Sequence, residues 1–572
     1  MRPFSPFGIA LALACLALAC LAVPVAAQSP VPMPASPLPG IEVRPPPSLA
    51  PGLAPPPEPV PADMPDLHLR IAAVAIEGNT IYDTASLAAL AGDLVGPDIA
   101  LARVEAARFA ILARYRADGY ALTAVSAKVE ADGTLRLRVT EGRIAAVKLD
   151  GDIGSAGVQV LRFLERLTEK AVIDTATLER ALLLAGDVPG VSVRAVLRPS
   201  VEEPGALTLV AQVTRQAYGG QVTLDNRAFD RVGPIQGLGV FDLNSLTEFG
   251  EHTQLELYRT VNGAQIFGQA SVDAFIGGSG LRIRLYGGTG LSRPTGSFRT
   301  IGYVGTTTTV GAELTYPLIR TRRQTLNLAA AFDAVEATVE QNGQVASYDA
   351  LRIARAGADY ALSDTLLGGS RGGVSAVSVR VSRGLHVLGA SADESMLAGR
   401  AGQRNGFLKA SFEASRTQTL FQPWDGASVA LYGLVAGQIT GDVLPPAEKF
   451  FLGGSRFTRG YYFGQVTGDN GLAATVELQL NTSTEVSVFD RQLTVAAQFY
   501  GFYDWGETWE TPVEDRSHRL QSLGVGLRLI PSPKLELDVE FVQRRTRFPT
   551  GSGPGVAPLP SNAFYWRVLA RF

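Results

Sequence analysis

The sequence predicts a 16-stranded antiparallel transmembrane β-barrel preceded by two α+β units of β-α-α-β-β order. Three observations carry this. The last 354 residues, Gly219 to Phe572, alternate apolar and polar side chains with a period of two, and they end on an aromatic residue. No run of about 18 or more apolar residues follows the amino terminus, so membrane insertion has to rest on strands rather than helices. Residues 68 to 215 carry one mixed helix and strand pattern twice over.

The final strand shows the barrel signal best. Phe564, Trp566, Val568, Ala570 and Phe572 fall on one face, with Tyr565, Arg567, Leu569 and Arg571 on the other. An apolar face and a charged face suit lipid outside and water inside. Trp566 and Phe572 are the candidate carboxyl-terminal signal of the barrel. Strands are expected near 219–227, 234–243, 252–260, 265–276, 280–290, 303–316, 323–338, 346–361, 374–388, 405–417, 425–439, 470–482, 492–504, 518–530, 533–546 and 562–572. In the span 533–546, Leu535, Leu537, Val539 and Phe541 oppose Glu536, Asp538 and Glu540. A large soluble β-sandwich is the competing architecture, and the export signal argues against it.

That signal is residues 1–27. Arg2 is the only charge, Ile9 to Val23 is apolar, and Val25-Ala26-Ala27 offers small residues before a cut. A lipid anchor on Cys20 is the rival reading, with Ala17-Leu18-Ala19 as a poor attachment context. Cys15 and Cys20 are the chain's two cysteines, so a processed chain has neither a disulfide nor thiolate chemistry. Residues 28–67 form a proline-rich linker, with 15 of the 35 prolines lying between 29 and 66. Such a segment favours an extended conformation that reaches on the order of 100 Å at about 3.1 Å per residue.

The first α+β unit is expected over 68–143 and the second over 144–216. In the first, Ile71 to Glu77 reads as a strand, Thr84 to Leu94 as a short helix, and Leu101 to Gly119 as a longer one. Leu101, Val104, Ala107, Ile111 and Tyr115 make its buried stripe. Two alternating strands follow, through Val125 and Val129 and then through Leu135, Leu137 and Val139. In the second unit, Val147 and Leu149 mark a strand. Val158 to Leu167 and Thr175 to Ala185 read as helices, the latter capped by Asp174, before strands at Val191–Leu197 and Leu207–Val213.

One barrel connector stands out by its length and its glycine, aromatic and arginine content, running Phe450-Phe451-Leu452-Gly453-Gly454-Ser455-Arg456-Phe457-Thr458-Arg459-Gly460-Tyr461. A glycine-flanked arginine can fold back into a wide aqueous lumen and meet a carboxylate there. Asp504 shares an inward face with Thr494 and Gln498, and Glu477 is a possible second carboxylate beside Gln479. Spacing leaves open the alternative that Arg459 is simply solvated.

These residues resemble the two-partner secretion transporters of the haemolysin secretion/activation type (ShlB/FhaC/HecB), in the superfamily that also holds the barrel-assembly insertases. Thr458-Arg459-Gly460-Tyr461 is similar to the superfamily's Val-Arg-Gly-Tyr/Phe loop motif, with Thr in place of Val. Phe502-Tyr503-Asp504-Trp505-Gly506 resembles the strand motif whose Asp meets that Arg. Glu77-Gly78-Asn79-Thr80, Thr140-Glu141-Gly142-Arg143 and Leu224-Asp225-Asn226 resemble POTRA and barrel-entry segments.

The resemblance implies an outer-membrane pore whose periplasmic POTRA domains catch an unfolded exoprotein, haemolysin- or adhesin-like, and pass it outward without ATP. Outer-membrane lipid is an implied partner, and periplasmic chaperones are possible ones. Insertion of other barrel proteins is the alternative reading; two POTRA units rather than more favour secretion. Some relatives begin with a helix that plugs the pore, whereas here the proline-rich segment takes that place.

No enzyme is expected. His68, His252, His386 and His518 lack metal-ligand spacing. The run Gly368 to Gly373 lacks the terminal Lys-Ser/Thr of a phosphate loop. No cofactor or metal is implied, and a net charge of −3 gives no footprint for nucleic acid.

Overall fold

The computed structural model describes residues 66–200, 203–488, 491–511, 517–551 and 557–572. The expected signal peptide and nearly all of the proline-rich linker lie outside them.

The first α+β unit comprises β1 (His68–Ile71), β2 (Ala73–Glu77), α1 (Thr84–Ala91), β3 (Gly96–Ala100), α2 (Leu101–Ala117), β4 (Ala124–Val129) and β5 (Thr134–Thr140). Its sheet has the order β2-β5-β4, with β2 parallel to β5. Val104, Ile111 and Tyr115 of α2 pack on Leu135, Leu137 and Val139 of β5, as the apolar stripe requires. Helix α1 is shorter than the expected 84–94. Gly92 turns the chain at φ 70°, Leu94 tucks into the core, and the next residues form β3, which pairs with β1. Gly96-Pro97-Asp98 hides that strand from propensity reasoning.

The second unit comprises β6 (Arg143–Asp150), α3 (Ala156–Leu164), a 3-10 turn (Glu165–Glu169), α4 (Thr175–Gly186), β7 (Val191–Pro199) and β8 (Ala206–Arg215). Asp174 caps α4, accepting from the Thr177 N–H at 2.8 Å. The two units meet where Thr175 gives its N–H and hydroxyl to the Gly119 carbonyl, at 2.8 and 2.7 Å.

The second unit docks on one end of the barrel. Phe163 of α3 meets the barrel's Phe275 edge-on at 5.2 Å. Arg320 grips Asp187 with two hydrogen bonds of 2.8 and 2.7 Å, and the Gln159 amide donates to the Gly277 carbonyl at 2.9 Å.

The barrel strands are β9 (Tyr218–Asp225), β10 (Gln236–Asn244), β11 (His252–Thr260), β12 (Gln265–Phe275), β13 (Arg282–Ser292), β14 (Val304–Arg320), β15 (Gln324–Gln341) and β16 (Gln344–Asp364). They continue as β17 (Gly373–Gly384), β18 (Leu408–Phe421), β19 (Ser428–Thr440), β22 (Asn470–Val488), β23 (Arg491–Trp509), β24 (His518–Ser532), β25 (Leu535–Arg544) and β26 (Asn562–Arg571). Two short strands, β20 (Phe450–Leu452) and β21 (Val466–Gly468), pair inside the long connector. The sixteen wall strands close into one antiparallel barrel.

Each expected wall strand is present, with some ends moved. Strand β22 runs to Val488, well past the expected 482, while β23 starts at Arg491 beside the expected 492 and continues to Trp509, past the expected 504. Asn481-Thr482-Ser483-Thr484-Glu485 lacks an apolar face and so reads as a connector.

Closure joins β26 to β9 over Arg567–Arg571 and Gln221–Asp225. Asn226 carries the ladder further with its side chain, donating to the Phe564 carbonyl and accepting from the Trp566 N–H, both at 2.9 Å. The Phe572 N–H donates to the Gly220 carbonyl at 3.1 Å, and its ring stays exposed on the outer face. Val539, Phe541 and Phe564 are likewise exposed outward, while Asp538, Glu540 and Tyr565 are buried in the lumen. Among the described residues no helix is long and apolar enough to cross a membrane.

Candidate functional site

The connector between β19 and β22, residues 441–469, folds back into the lumen. Gly453 and Gly454, at φ 101° and 96°, turn the chain away from β20. Phe450 stacks on Phe457 and Phe451 on Phe463, with ring centroids 6.2 and 5.9 Å apart, so the loop carries an apolar body of its own. At its tip Thr458 adopts φ 52°, a conformation unusual for a β-branched residue. Its hydroxyl accepts from the Gly453 N–H at 2.9 Å, a contact that the valine of the superfamily motif has no atom to make.

Arg459 then reaches the wall. Its backbone N–H and Nε donate to Asp504 Oδ2 at 2.7 and 3.1 Å, and Nη2 donates to Oδ1 at 3.0 Å. Nη1 binds Glu477, the second expected carboxylate. Arg459, Glu477 and Asp504 are 5%, 2% and 0% exposed, so this ion cluster is desolvated rather than solvated. The guanidinium lies 3.5 Å above the centroid of Phe502, a cation–π contact beneath the salt bridges. Gly460 donates to Ser522 Oγ at 3.3 Å, and a Cβ at this position would lie 2.8 Å from the Ser522 Cβ. The Tyr461 hydroxyl donates to the Gln521 carbonyl at 2.7 Å and accepts from the Thr546 N–H at 2.9 Å. All four loop-motif residues and both carboxylates therefore converge, while Phe572 and Trp566 lie apart at the closing strand.

The wall is prepared for this contact by glycine. Phe502 and Tyr500 of β23 sit opposite Gly524 and Gly526 of β24, where an added Cβ would strike the rings at 2.6 and 2.3 Å. Each aromatic lies flat over its glycine partner and supports an arginine, Arg459 on Phe502 and Arg528 on Tyr500 at 4.1 Å. Sequence reasoning did not assign roles to these rings, although an inward aromatic opposite a glycine is a readable signal.

It also missed the arginines that hold the loop backbone. Arg227 donates to the Arg459 carbonyl at 2.9 Å, stacks on Tyr565 at 4.1 Å and pairs with Glu540. Arg544 donates to the Gly460 carbonyl, which also accepts from the Tyr565 hydroxyl at 3.0 Å. These partners lie far apart along the chain, so no local pattern marks them.

The histidines stand apart from this cluster. His252 lies between Asp242 and Asp273, at 2.8 and 3.6 Å, toward the docked α+β unit. Gly368 to Gly372 lies in the turn before β17. Among the described residues no group of His, Cys, Asp or Glu is arranged to hold a metal.

Residues 207–529 match the family model of the haemolysin secretion/activation protein ShlB/FhaC/HecB. The chain belongs to that family. Residues 69–142 match the POTRA domain, ShlB-type. The heme/hemopexin transporter protein HuxB of Haemophilus influenzae (strain 86-028NP) is 22% identical over 496 residues, 80% of each chain. In fold, the chain is similar to CdiB from Escherichia coli, with TM-score 0.69, 18% identity, and 90% of this chain and 92% of that one covered. BamA from Haemophilus ducreyi lacking POTRA domains 1–3 is more distant, at TM-score 0.50 and 12% identity, covering 88% of this chain and all (100%) of that one. The protein is thus an outer-membrane two-partner secretion transporter, with its POTRA domains in the periplasm, and it translocates a partner protein across that membrane.

Proposed function

We propose that this transporter exports a large, unfolded, haemolysin- or adhesin-like exoprotein through a lumen that the loop around Arg459 keeps closed at rest. In this reading residues 1–27 direct export, 28–67 form a spacer, 68–143 and 144–216 receive the client, and 217–572 form the pore. An extended client can add to an exposed POTRA strand edge by backbone hydrogen bonding. Folding outside the cell makes return unfavourable and replaces a nucleotide as the driving force. No catalytic step is assigned to any residue, and lipid and periplasmic chaperones enter only as surroundings.

The observation that supports the gate is the desolvated cluster of Arg459 with Asp504 and Glu477. Thr458, Gly460 and Tyr461 position that arginine, and Trp566 and Phe572 serve barrel insertion. A planar-bilayer recording tests the reading. Arg459→Ala is expected to raise the mean conductance of the purified protein above wild type, and an unchanged trace contradicts the gate.

A further inference from the structure

The loop makes a second buried ionic contact, away from Arg459. Glu448, in the short turn Pro446–Glu448 ahead of β20, is 6% exposed. Its carboxylate receives Arg355 Nη2 at 2.7 Å and Nη1 at 3.1 Å, and Lys409 Nζ at 2.7 Å. Its backbone carbonyl accepts from Lys409 Nζ at 2.7 Å and from the Gln438 amide at 3.0 Å. Arg355 lies mid-way along the 21-residue strand β16, level through Ser382 with Lys409 near the start of β18, so the contact lies at the end of the lumen where β18 begins. Asp333 of β15 completes it, accepting from Arg355 Nε at 2.6 Å.

Two features separate this contact from the Arg459 cluster. It uses β15, β16 and β18, whereas Arg459 uses β22 and β23, and the polarity is reversed: the loop supplies the anion and the wall supplies the cations. The charges balance, with Arg355 and Lys409 against Glu448 and Asp333. Removing Glu448 leaves two wall cations facing one carboxylate, a costly state in a desolvated site.

We propose that Glu448 is a second anchor of the loop, a positioning residue that holds the loop in the lumen when the Arg459 anchor lets go. The proposal rests on the gating reading above. Two anchors on different parts of the wall mean that loss of one loosens the loop, while loss of both leaves it to the weaker hold of contacts such as Lys449–Glu510 and Arg456–Glu413.

The test compares wild type, Arg459→Ala, Glu448→Gln and the double variant by single-channel recording. Retained folding is checked for each by heat-modifiable electrophoretic mobility. The double variant is expected to show an open probability about tenfold beyond what the two singles add up to, as coupled sites do. Arg459→Ala alone matching the double variant overturns the second anchor and leaves the gate intact. No response to Arg459→Ala speaks against the gate itself.

Adding Lys409→Met to the double variant separates tethering from simple charge imbalance, since it restores neutrality without restoring the tether. A persistently open pore is expected; restored closure overturns the proposal. Should Glu448→Gln fail to fold, Arg355→Gln and Lys409→Met together with Arg459→Ala remove both wall partners of the Glu448 carboxylate and are read in the same way.

Discussion

The second POTRA core and the Arg459 cluster in the barrel lumen are equally buried, yet one is built from carbon and the other from charge. Ile144, Val160, Phe163, Leu164 and Leu209 fill the first, with Phe275 lent by the barrel. Arg459, Glu477, Asp504 and Glu540 fill the second. An apolar core is held by the volume it fills, and any opening exposes the whole of it to water. An ion cluster is held by pairings, each of which water or a charged client can replace. The difference bears on where movement costs least: the second POTRA domain packs its apolar core against the barrel at Phe275, while the proposed gate has the loop leave without unfolding the wall.

The sharpest way to break this comparison is to remove a partner from each side. Asp504→Ala leaves Arg459 short of its main carboxylate, and losing one member of a buried pair costs about 3–5 kcal/mol. That loss is expected to appear as loop release, read as raised conductance, with the heat-modifiable barrel retained. Global unfolding of the barrel contradicts the distinction.

Phe163→Ala should also cost about 3–5 kcal/mol, as a buried aromatic does. Here the expected reading is protease sensitivity confined to the second POTRA domain and its contact at Phe275. An increase in pore conductance without proteolysis would show that the rim contact, and not the loop, sets the gate.

The smallest effect concerns pH and sharpens the apolar side. In the first POTRA domain Glu141 is partly buried, which alone disfavours its charge. Hydrogen bonds from the hydroxyls of Thr80 and Tyr115 and from the Ile81 and Thr80 N–H groups outweigh this and hold its pKa below the usual carboxylate value. A depressed folded-state pKa contributes stability that is present above the unfolded value and lost as pH falls through the folded one. Acid should therefore loosen this domain first around Thr80 and Glu141, and Glu141→Gln should flatten that acid limb in hydrogen-exchange measurements. An unchanged acid limb contradicts the assignment.

Legibility followed the same division. Strand alternation made the sixteen wall strands readable, because lipid and water impose opposite demands on neighbouring side chains. Helical stripes and the Asp174 cap revealed the POTRA units for similar local reasons. What stayed hidden was non-local. Strand β3 forms only because β1 lies beside it, and β22 continues through its polar stretch because β23 supplies the ladder. In the lumen the motif led to Arg459, Asp504 and Glu477, whereas Glu448, Arg355 and Lys409 have no sequence neighbourhood in common.

The most direct test of the whole account deletes the gene in its native host and compares culture supernatant with outer membrane by quantitative mass spectrometry. The account predicts loss of one large exoprotein from the supernatant, with other outer-membrane barrels unchanged and export restored by the intact gene. Broad depletion of unrelated barrel proteins, with no exoprotein singled out, would contradict it and make the chain an assembly factor.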